Sequence, residues 1–527
     1  MIKSFAAATL AALLTTAAHA QDIAALKAQA VAGVEARAKM AQVLNDQIFS
    51  FGEPGFEEVE TSKLITATLE KNGFSVKRGI SGMPTGWVAT WTHKVKGKPA
   101  GPVIALGSDI DGVPRTSQKP GIPWHDPLVK DAPGHGEGHN SGNPLNIVAA
   151  LAVKEVMIRE GIPGTLMLWP GVAEELVAAK AYMVRDGVFK DVDAVLFTHV
   201  ADNLAVSWGP TSGTGLVSVE YSFWGETAHS AGSPWRGRSA LDAVTLMNLG
   251  WEMRREHLRP EQRSHYVIKK GGDQPNVVPA EASVWYYFRE QSFDAIAKNF
   301  EIGNKIADAA AMMTDTTVTR RILGTAAPRH FSKPIAEAAY ANIQQVGLPK
   351  WTDDEQAFAK AVQTHLKVKK VEGLSTELDK LEPPVEEPKS GGSDDIGDVS
   401  WVVPTITLRY PANIPDVTYH HWSAAIAMAT PIAHKGVVAG ANVVSMTMLD
   451  LLTSPTLLTE AKAYFTDVQT KEQKYLPMIG PKDMPPVTIN ADMMAGYRAE
   501  MRKLYYDPAK YPTYLDQLGI KFPTLKK

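Results

Sequence analysis

The residues of this chain best suited to chemistry are carboxylates and imidazoles gathered in short clusters. Glu137 and His139 stand two apart in Pro133-Gly-His-Gly-Glu-Gly-His-Asn140, among glycines that let the backbone fold tightly round a small object. A hard carboxylate beside a borderline imidazole suits zinc, manganese or cobalt. Taken alone, the segment is equally a glycine-rich turn with polar groups at the surface. Glu174 and Glu175 are adjacent carboxylates that repel each other unless a cation or a proton relieves them. Because neighbours point different ways, one can bind a metal while the other holds a proton from an attacking water. An isolated Glu-Glu pair is more commonly a solvated surface. His199 follows the apolar run Ala194 to Phe197, and His420 stands in Tyr419-His-His-Trp422, where His421 competes with it. Each is a candidate imidazole ligand or a satisfied structural histidine.

These residues need elements that deliver them to one place. Val103 to Gly107 is a short β-rich run ending in Ser-Asp-Ile-Asp, Thr165 to Trp169 one ending at Pro-Gly-Val-Ala-Glu-Glu, and Ala194 to Phe197 one ending at Thr-His-Val. Parallel strands present side chains to the crevice at their carboxyl ends. Asp109, Asp111, Glu137, His139, Glu174, Glu175 and His199 therefore share one predicted crevice. Helical spacing predicts helices over Asp22 to Ser50, Glu60 to Asn72 and Asn146 to Arg159, and a strand follows at Trp87 to Thr92, the alternation of an α/β sheet.

From about Gly213 the pattern changes. Strands at Leu216 to Trp224, Ser264 to Lys269, Ala282 to Glu290 and Thr316 to Ile322, with helices at Ala240 to Arg255 and Phe293 to Met312, give the ferredoxin-like order. An inserted lid domain is expected over about 213–326, making the first domain discontinuous. Downstream, Asp354 to Val368 reads as a helix, Leu381 to Ser390 as an exposed loop and Trp401 to Leu408 as a returning strand. The tail from about Ser454 carries helical patterns at Thr456 to Lys474 and Ala491 to Tyr505.

Bulk properties narrow the function. With 527 residues, two domains are the natural expectation, and 44% hydrophobic content is that of a soluble globular protein. A formal charge of -3 from balanced acids and bases gives no cationic face for nucleic acid. Lys3, the apolar stretch Phe5 to Ala18 and Ala18-His-Ala20 read as a signal peptide over residues 1–20, so a periplasmic or secreted product is expected. No later segment offers the roughly 20 uninterrupted apolar residues of a membrane-spanning helix. Without cysteine, no disulfide can staple the fold, and any metal must be held by nitrogen and oxygen.

Together, Ser108-Asp-Ile-Asp-Gly-Val-Pro114, Gly134-His-Gly-Glu-Gly-His-Asn140, Ala173-Glu-Glu175, Thr198-His199, Ala228-His-Ser230, Asn276-Val-Val-Pro279 and Gly397-Asp-Val-Ser-Trp401 resemble the ordered signature of the M20 family of metallopeptidases and amidohydrolases. The resemblance runs from roughly Asp22 to Asp450 and is strongest to the branch that holds the aminobenzoyl-glutamate hydrolases and the amino-acid-conjugate amidohydrolases. It implies a catalytic domain of mixed sheet and flanking helices (21–212 and 327–527) and a lid or dimerisation domain (213–326). It implies Glu137, His139, Glu175, His199 and His420 as ligands of two divalent ions, zinc or alternatively manganese or cobalt. Glu174 becomes the general base and Asp111 a carboxylate that orients a ligating imidazole. His229 would stabilise the oxyanion, often from a partner subunit, which implies a homodimer. Asn276 and Arg289 would contact substrate. The Arg289 fork suits a carboxylate, although the residue also reads as an exposed strand cation.

Asp109 lies where other branches carry a histidine ligand, and its role stays open. Glu137 departs from the branch, which usually has cysteine there. A harder donor shifts preference away from soft ions and allows a carboxylate bridge between two metals. The activity implied is hydrolysis of the amide in a small N-acyl or aminoacyl amino acid, a dipeptide or an aminobenzoyl-glutamate-like molecule. The rival expectation is an exported, non-catalytic binding protein that keeps the fold with an impaired metal site.

Overall fold

The computed structural model describes residues 23–385 and 391–526, so the segment read as a signal peptide lies outside the described residues. Helix α1 (23–35) and helix α2 (Ala38–Phe51) replace the single helix expected from Asp22 to Ser50. The break is a turn at Ala36-Arg37, where the Arg37 side chain donates to the Gly33 carbonyl at 2.8 Å. Helix α3 (Val59–Lys71) leads into strands β1 (Ser75–Arg78), β2 (Trp87–His93) and β3 (Val103–Asp109). Helix α4 (Gly142–Glu160), β4 (Gly164–Gly171), the short α5 (Lys180–Arg185) and β5 (Ala194–Ala201) follow.

These strands and the last of the chain, β12 (Thr405–Pro411), form a six-stranded sheet in the order β1-β2-β4-β3-β5-β12. The β4, β3, β5 and β12 strands run parallel, whereas β1 and β2 join antiparallel. The central parallel strands are buried along nearly their whole length, which is why they read as apolar runs rather than as alternation.

The chain leaves this domain through β6 (Gly209–Pro210) and builds a second sheet from β7 (Gly215–Trp224), β8 (Arg263–Lys270), β9 (Glu281–Glu290) and β10 (Thr317–Ala326). Its order, β10-β7-β9-β8 and wholly antiparallel, is that of a ferredoxin-like unit. Helices α6 (Ala240–Arg255) and α7 (Phe293–Thr314) pack on it, with Val219, Tyr221, Trp251, Tyr286 and Phe288 in a core of their own. Ser239 and Ser292 cap these helices by accepting from Asp242 and Ala295 N–H groups, satisfying donors the first turn leaves open. The chain returns through β11 (His330–Phe331), which pairs with β6, so the two crossings are tied to each other.

Helices α8 (Lys333–Val346), α9 (Asp353–His365), α10 (Ile396–Ser400), α11 (Trp422–Ala425) and α12 (Pro431–Thr453) complete the first domain. The strand expected from Trp401 begins later, at Thr405. Residues 396–400 form a helical turn, and the Trp401 indole donates to the Pro328 carbonyl at 2.6 Å. By length and composition α12 is long and apolar enough to cross a membrane, unlike anything expected from the sequence. It lies in the core against α4, α8 and β12, and 78% of its apolar window is buried. The tail adds α13 (Pro455–Tyr464), α14 (Ala491–Arg502) and α15 (Tyr514–Leu518). Arg498 of α14 braces the loop before α3 through Glu53 at 2.8 Å and Glu57 at 2.6 Å.

Candidate metal centre

The parallel register brings strand ends level. Asp109 at the end of β3 faces Gly171 at the end of β4, and His199 on β5 faces Arg409 on β12. Past β4 the chain turns sharply, and Ala173 (φ 50°) and Val177 (φ 51°) adopt the left-handed conformation, at a cost of order 1–3 kcal/mol each. Buried carboxylates hold that turn: Glu58 accepts from the Ala173 N–H at 2.9 Å and Asp111 from the Glu175 N–H at 3.0 Å. His420 is also left-handed (φ 55°), its N–H donating to the Gly136 carbonyl at 3.1 Å. That bond draws a residue from the far end of the chain onto the glycine-rich loop carrying Glu137 and His139.

Glu137 is the centre of the arrangement. Its Oε1 lies 3.5 Å from His199 Nε2 and its Oε2 lies 2.6 Å from His420 Nε2. His420 Nε2 is also 3.0 Å from Glu175 Oε2. The His139 and His199 rings meet edge to face with centroids 5.3 Å apart. Asp111 Oδ1 lies 3.2 Å from His139 Nδ1, and a proton on that nitrogen leaves the Nε2 lone pair of the neutral ring free to bind a metal. His199 Nδ1 lies 2.9 Å from the Val200 carbonyl and 2.6 Å from an Arg409 guanidinium nitrogen. The guanidinium can only donate, so Nδ1 accepts from it and the proton of the neutral ring sits on Nε2, facing Glu137.

Among the described residues four groups of possible ligand atoms lie within 4.8 Å of one another: Glu137, Glu175 and His420; Asp109, His139 and His199; His139, Glu174 and Glu175; and Glu174, Asp394 and Asp395. His139 Nε2, Glu175 Oε1 and Asp109 Oδ2 are buried without a hydrogen-bond partner. Buried polar atoms are nearly always satisfied, so several orphaned donors converging on one point fit a cation. His421 turns away: its Nδ1 lies 2.9 Å from Ser423 Oγ and its ring packs on Trp422.

The charges agree. Burial opposes protonation of His139, but the Asp111, Asp109 and Glu175 carboxylates outweigh it and push the imidazole up to about 10. Close contact with Glu137 and Glu175 pushes His420 up to about 11. Burial raises Glu137, yet the three surrounding imidazoles hold it below the usual carboxylate range. Burial and the Glu137 charge push Glu175 up to about 7. Burial and the Arg409 cation push His199 down to about 3, leaving a neutral ring. In the metal-free chain, protons on His139 and His420 thus occupy the electrostatic role of a divalent cation.

Glu174 faces the same cleft of about 310 Å³, which Glu137, Glu175, His199 and His420 line with Arg289, Arg329, Asp394 and Arg409. Burial, with Asp109 and Asp394 beside it, pushes Glu174 well above the usual carboxylate range, so it carries a proton readily. Arg289 reaches in from β9 of the lid with its guanidinium 5.0 Å from the Tyr287 ring and a buried Nε that has no partner. Tyr287 in turn donates to the Leu176 carbonyl at 3.2 Å, resting the lid on the turn that bears Glu174 and Glu175.

His229 and Asn276 are not among the residues lining this cleft. They sit together on the exposed lid surface, with the Ser230 N–H bonded to the Asn276 carbonyl at 3.1 Å and His229 Nδ1 accepting from Gly232 N–H at 3.1 Å. Sequence reasoning missed Arg329, Asp394 and Arg409 in the cleft and Lys180 and Asp395 behind it. The one signal available was Gly391-Gly-Ser-Asp-Asp395, a glycine-led acidic pair just before the Gly397-Asp-Val-Ser-Trp401 segment.

Comparison with known proteins agrees with this picture. The family model for the peptidase dimerisation domain matches residues 211–311, on the lid. The chain is 31% identical over 484 residues to a p-aminobenzoyl-glutamate hydrolase subunit of Escherichia coli, covering 86% of this chain and 97% of that protein. It is 26% identical to the Xaa-Arg dipeptidase of Mus musculus, covering 86% and 95% respectively. The crystal structure of an aminobenzoyl-glutamate utilization protein from Klebsiella pneumoniae has the same fold, with a TM-score of 0.54 at 17% identity over 79% of this chain and 96% of that one.

Proposed function

The chain belongs to the M20 family of metal-dependent peptidases and amidohydrolases, and we propose that it hydrolyses the amide bond of a small N-acyl or aminoacyl amino acid whose carboxylate Arg289 receives. The observation that carries this reading is Glu137, whose two oxygens reach toward His199 on one side and His420 on the other, with Glu174 facing the same cleft. In it, Glu137, Glu175 and His420 would hold one divalent ion and His139 and His199 a second, with Glu137 placed between the two groups. An all-oxygen-and-nitrogen set suits zinc, manganese or cobalt. Such ions supply Lewis acidity, lowering the pKa of a water and polarising the amide carbonyl.

The chain's own groups do the rest. Glu174 takes the proton of the attacking water and gives it to the leaving amine nitrogen, a task suited to a carboxyl that burial has pushed well above the usual carboxylate range. Asp111 fixes the tautomer of His139 and, through the Glu175 N–H, the turn that aims Glu174. Arg289 pairs with the carboxylate beside the scissile amide, a feature shared by aminobenzoyl-glutamate and by dipeptides, the substrates named for the two relatives. His229, which does not line its own chain's cleft, donates to the oxyanion from a second copy across the dimerisation domain, with Asn276 beside it. The basic, apolar and small-residue order of residues 1–20 supports export to the periplasm or beyond.

Replacing Glu174 by Gln tests the reading. The variant is expected to keep its metal, measured by elemental analysis, and to lose about 10²- to 10⁴-fold in turnover of an N-acyl-glutamate or dipeptide. Wild-type turnover in that variant would remove Glu174 from the proton-carrying role.

A further inference from the structure

Behind the centre lies a buried ion triad that the reaction as described does not use. Lys180, at the start of α5, is 0% exposed, and Asp109 and Asp395 are 1% and 0% exposed. The Lys180 ammonium donates to Asp109 Oδ1 at 2.6 Å and to Asp395 Oδ1. Asp395 is further satisfied through Oδ2, which accepts from the Lys180 N–H at 3.0 Å and the Ala179 N–H at 3.3 Å. Asp109 is left incomplete: its Oδ2 is buried and has no hydrogen-bond partner. The fold makes room for this carboxylate, since a Cβ at Gly171 would fall 1.8 Å from Asp109 Oδ1.

Charge and geometry say what the free oxygen is for. One ammonium faces two buried carboxylates, so the remaining charge has to be met by a proton or by a neighbouring cation. Asp109 stands with His139 and His199, a ligand atom of each within 4.8 Å of the others, and the His139 Nε2 atom is orphaned too. Lys180 grips Oδ1, so rotation of the carboxylate is restricted and Oδ2 keeps its place.

We propose that Asp109 is itself a metal ligand, completing the second ion's site with His139, His199 and the near oxygen of Glu137, while Lys180 orients it. This rests on the two-metal reading above. The centre would then be asymmetric, with four protein ligands for the ion at Asp109 and three for the ion at Glu175 and His420.

Cobalt titration of the metal-free full-length protein tests this, read by visible absorption and by the magnetic coupling of paired cobalt ions in electron paramagnetic resonance. The wild type is expected to bind two equivalents and show coupling. Asp109→Asn should lose the second site, weakening it by more than about 100-fold, because even hydrogen-bonded supports of a ligand cost 10- to 100-fold when removed. Asp109→His restores a donor without restoring the ion pair to Lys180, and should recover the second equivalent and the coupling. Two tight equivalents in Asp109→Asn, or an Asp109→His variant no better than Asp109→Asn, would overturn the ligand assignment while leaving the two-metal reading intact. A wild type that binds no cobalt would refute the two-metal reading instead.

Discussion

Replacing Lys180 by Met keeps most of the side chain's volume and removes the charge on which the wall of the site depends. Asp395 keeps its bonds from the Lys180 and Ala179 N–H groups, which a side-chain substitution leaves in place. The loss therefore falls chiefly on Asp109, whose Oδ1 loses its donor and whose Oδ2 has none. Breaking a buried ion pair by deleting one partner typically costs about 3–5 kcal/mol, and the surviving contacts of Asp395 place the expected value near the lower end. The cost depends on pH, and its sign is fixed. Burial already pushes Asp109 up to about 7 against the pull of Lys180, and without the ammonium it rises further. A group whose folded pKa lies above its unfolded value stabilises the fold at low pH and loses that contribution as pH rises through the folded value. Lys180→Met in metal-free protein should thus approach wild-type stability at pH 5 and fall behind by about 3 kcal/mol at pH 8, measured from urea-unfolding midpoints. A penalty below about 1 kcal/mol at pH 8, or one that does not grow between the two pH values, would refute the idea that Lys180 neutralises this wall.

Other expectations follow from the charges round the cleft. His139, at about 10, and His420, at about 11, are both protonated at neutral pH in the metal-free chain. Glu175 and Asp109, each pushed up to about 7, hold about half a proton apiece there, so metal uptake at pH 7 should release about three protons and affinity should rise with pH by about 1,000-fold per unit, read by calorimetry in buffers of different ionisation enthalpy. The stabilisation that the metal-free fold draws from His139 is full below about 6.5 and is lost as pH climbs through about 10, so metal-free protein should melt lower in alkaline buffer. Arg289→Ala should lower kcat/KM by about 10- to 100-fold for substrates carrying the carboxylate and leave a matching amide without one little changed, as loss of a charged hydrogen-bonded pair implies.

How far the sequence could be read depended on whether a residue's neighbours in the chain are also its neighbours in space. Asp111, Glu174, Glu175 and His199 follow apolar parallel strands, and strand pairing alone sets them level, so their convergence was legible from pattern. The four-strand lid was legible for the same reason, each strand alternating or apolar and each helix bounded by a serine cap. His420 needed the resemblance to a family, because its approach depends on a backbone bond to Gly136 that no local pattern announces. Lys180 was invisible: a single lysine among alanines looks like a solvated helix position, and its partners lie 71 and 215 residues away. Arg409 sits within the apolar β12 for a like reason, its burial offset by contact with His199. The break between α1 and α2 escaped periodicity because both helices place apolar residues on similar faces and the turn at 36–37 contains neither glycine nor proline.

Anomalous diffraction from crystals of the zinc-loaded protein tests the two-metal centre most directly. Two peaks are expected about 3.5–4 Å apart on either side of the Glu137 carboxylate, one beside Glu175 and His420 and the other beside His139 and His199. A single peak, or none between those side chains, would contradict a centre built on a bridging Glu137.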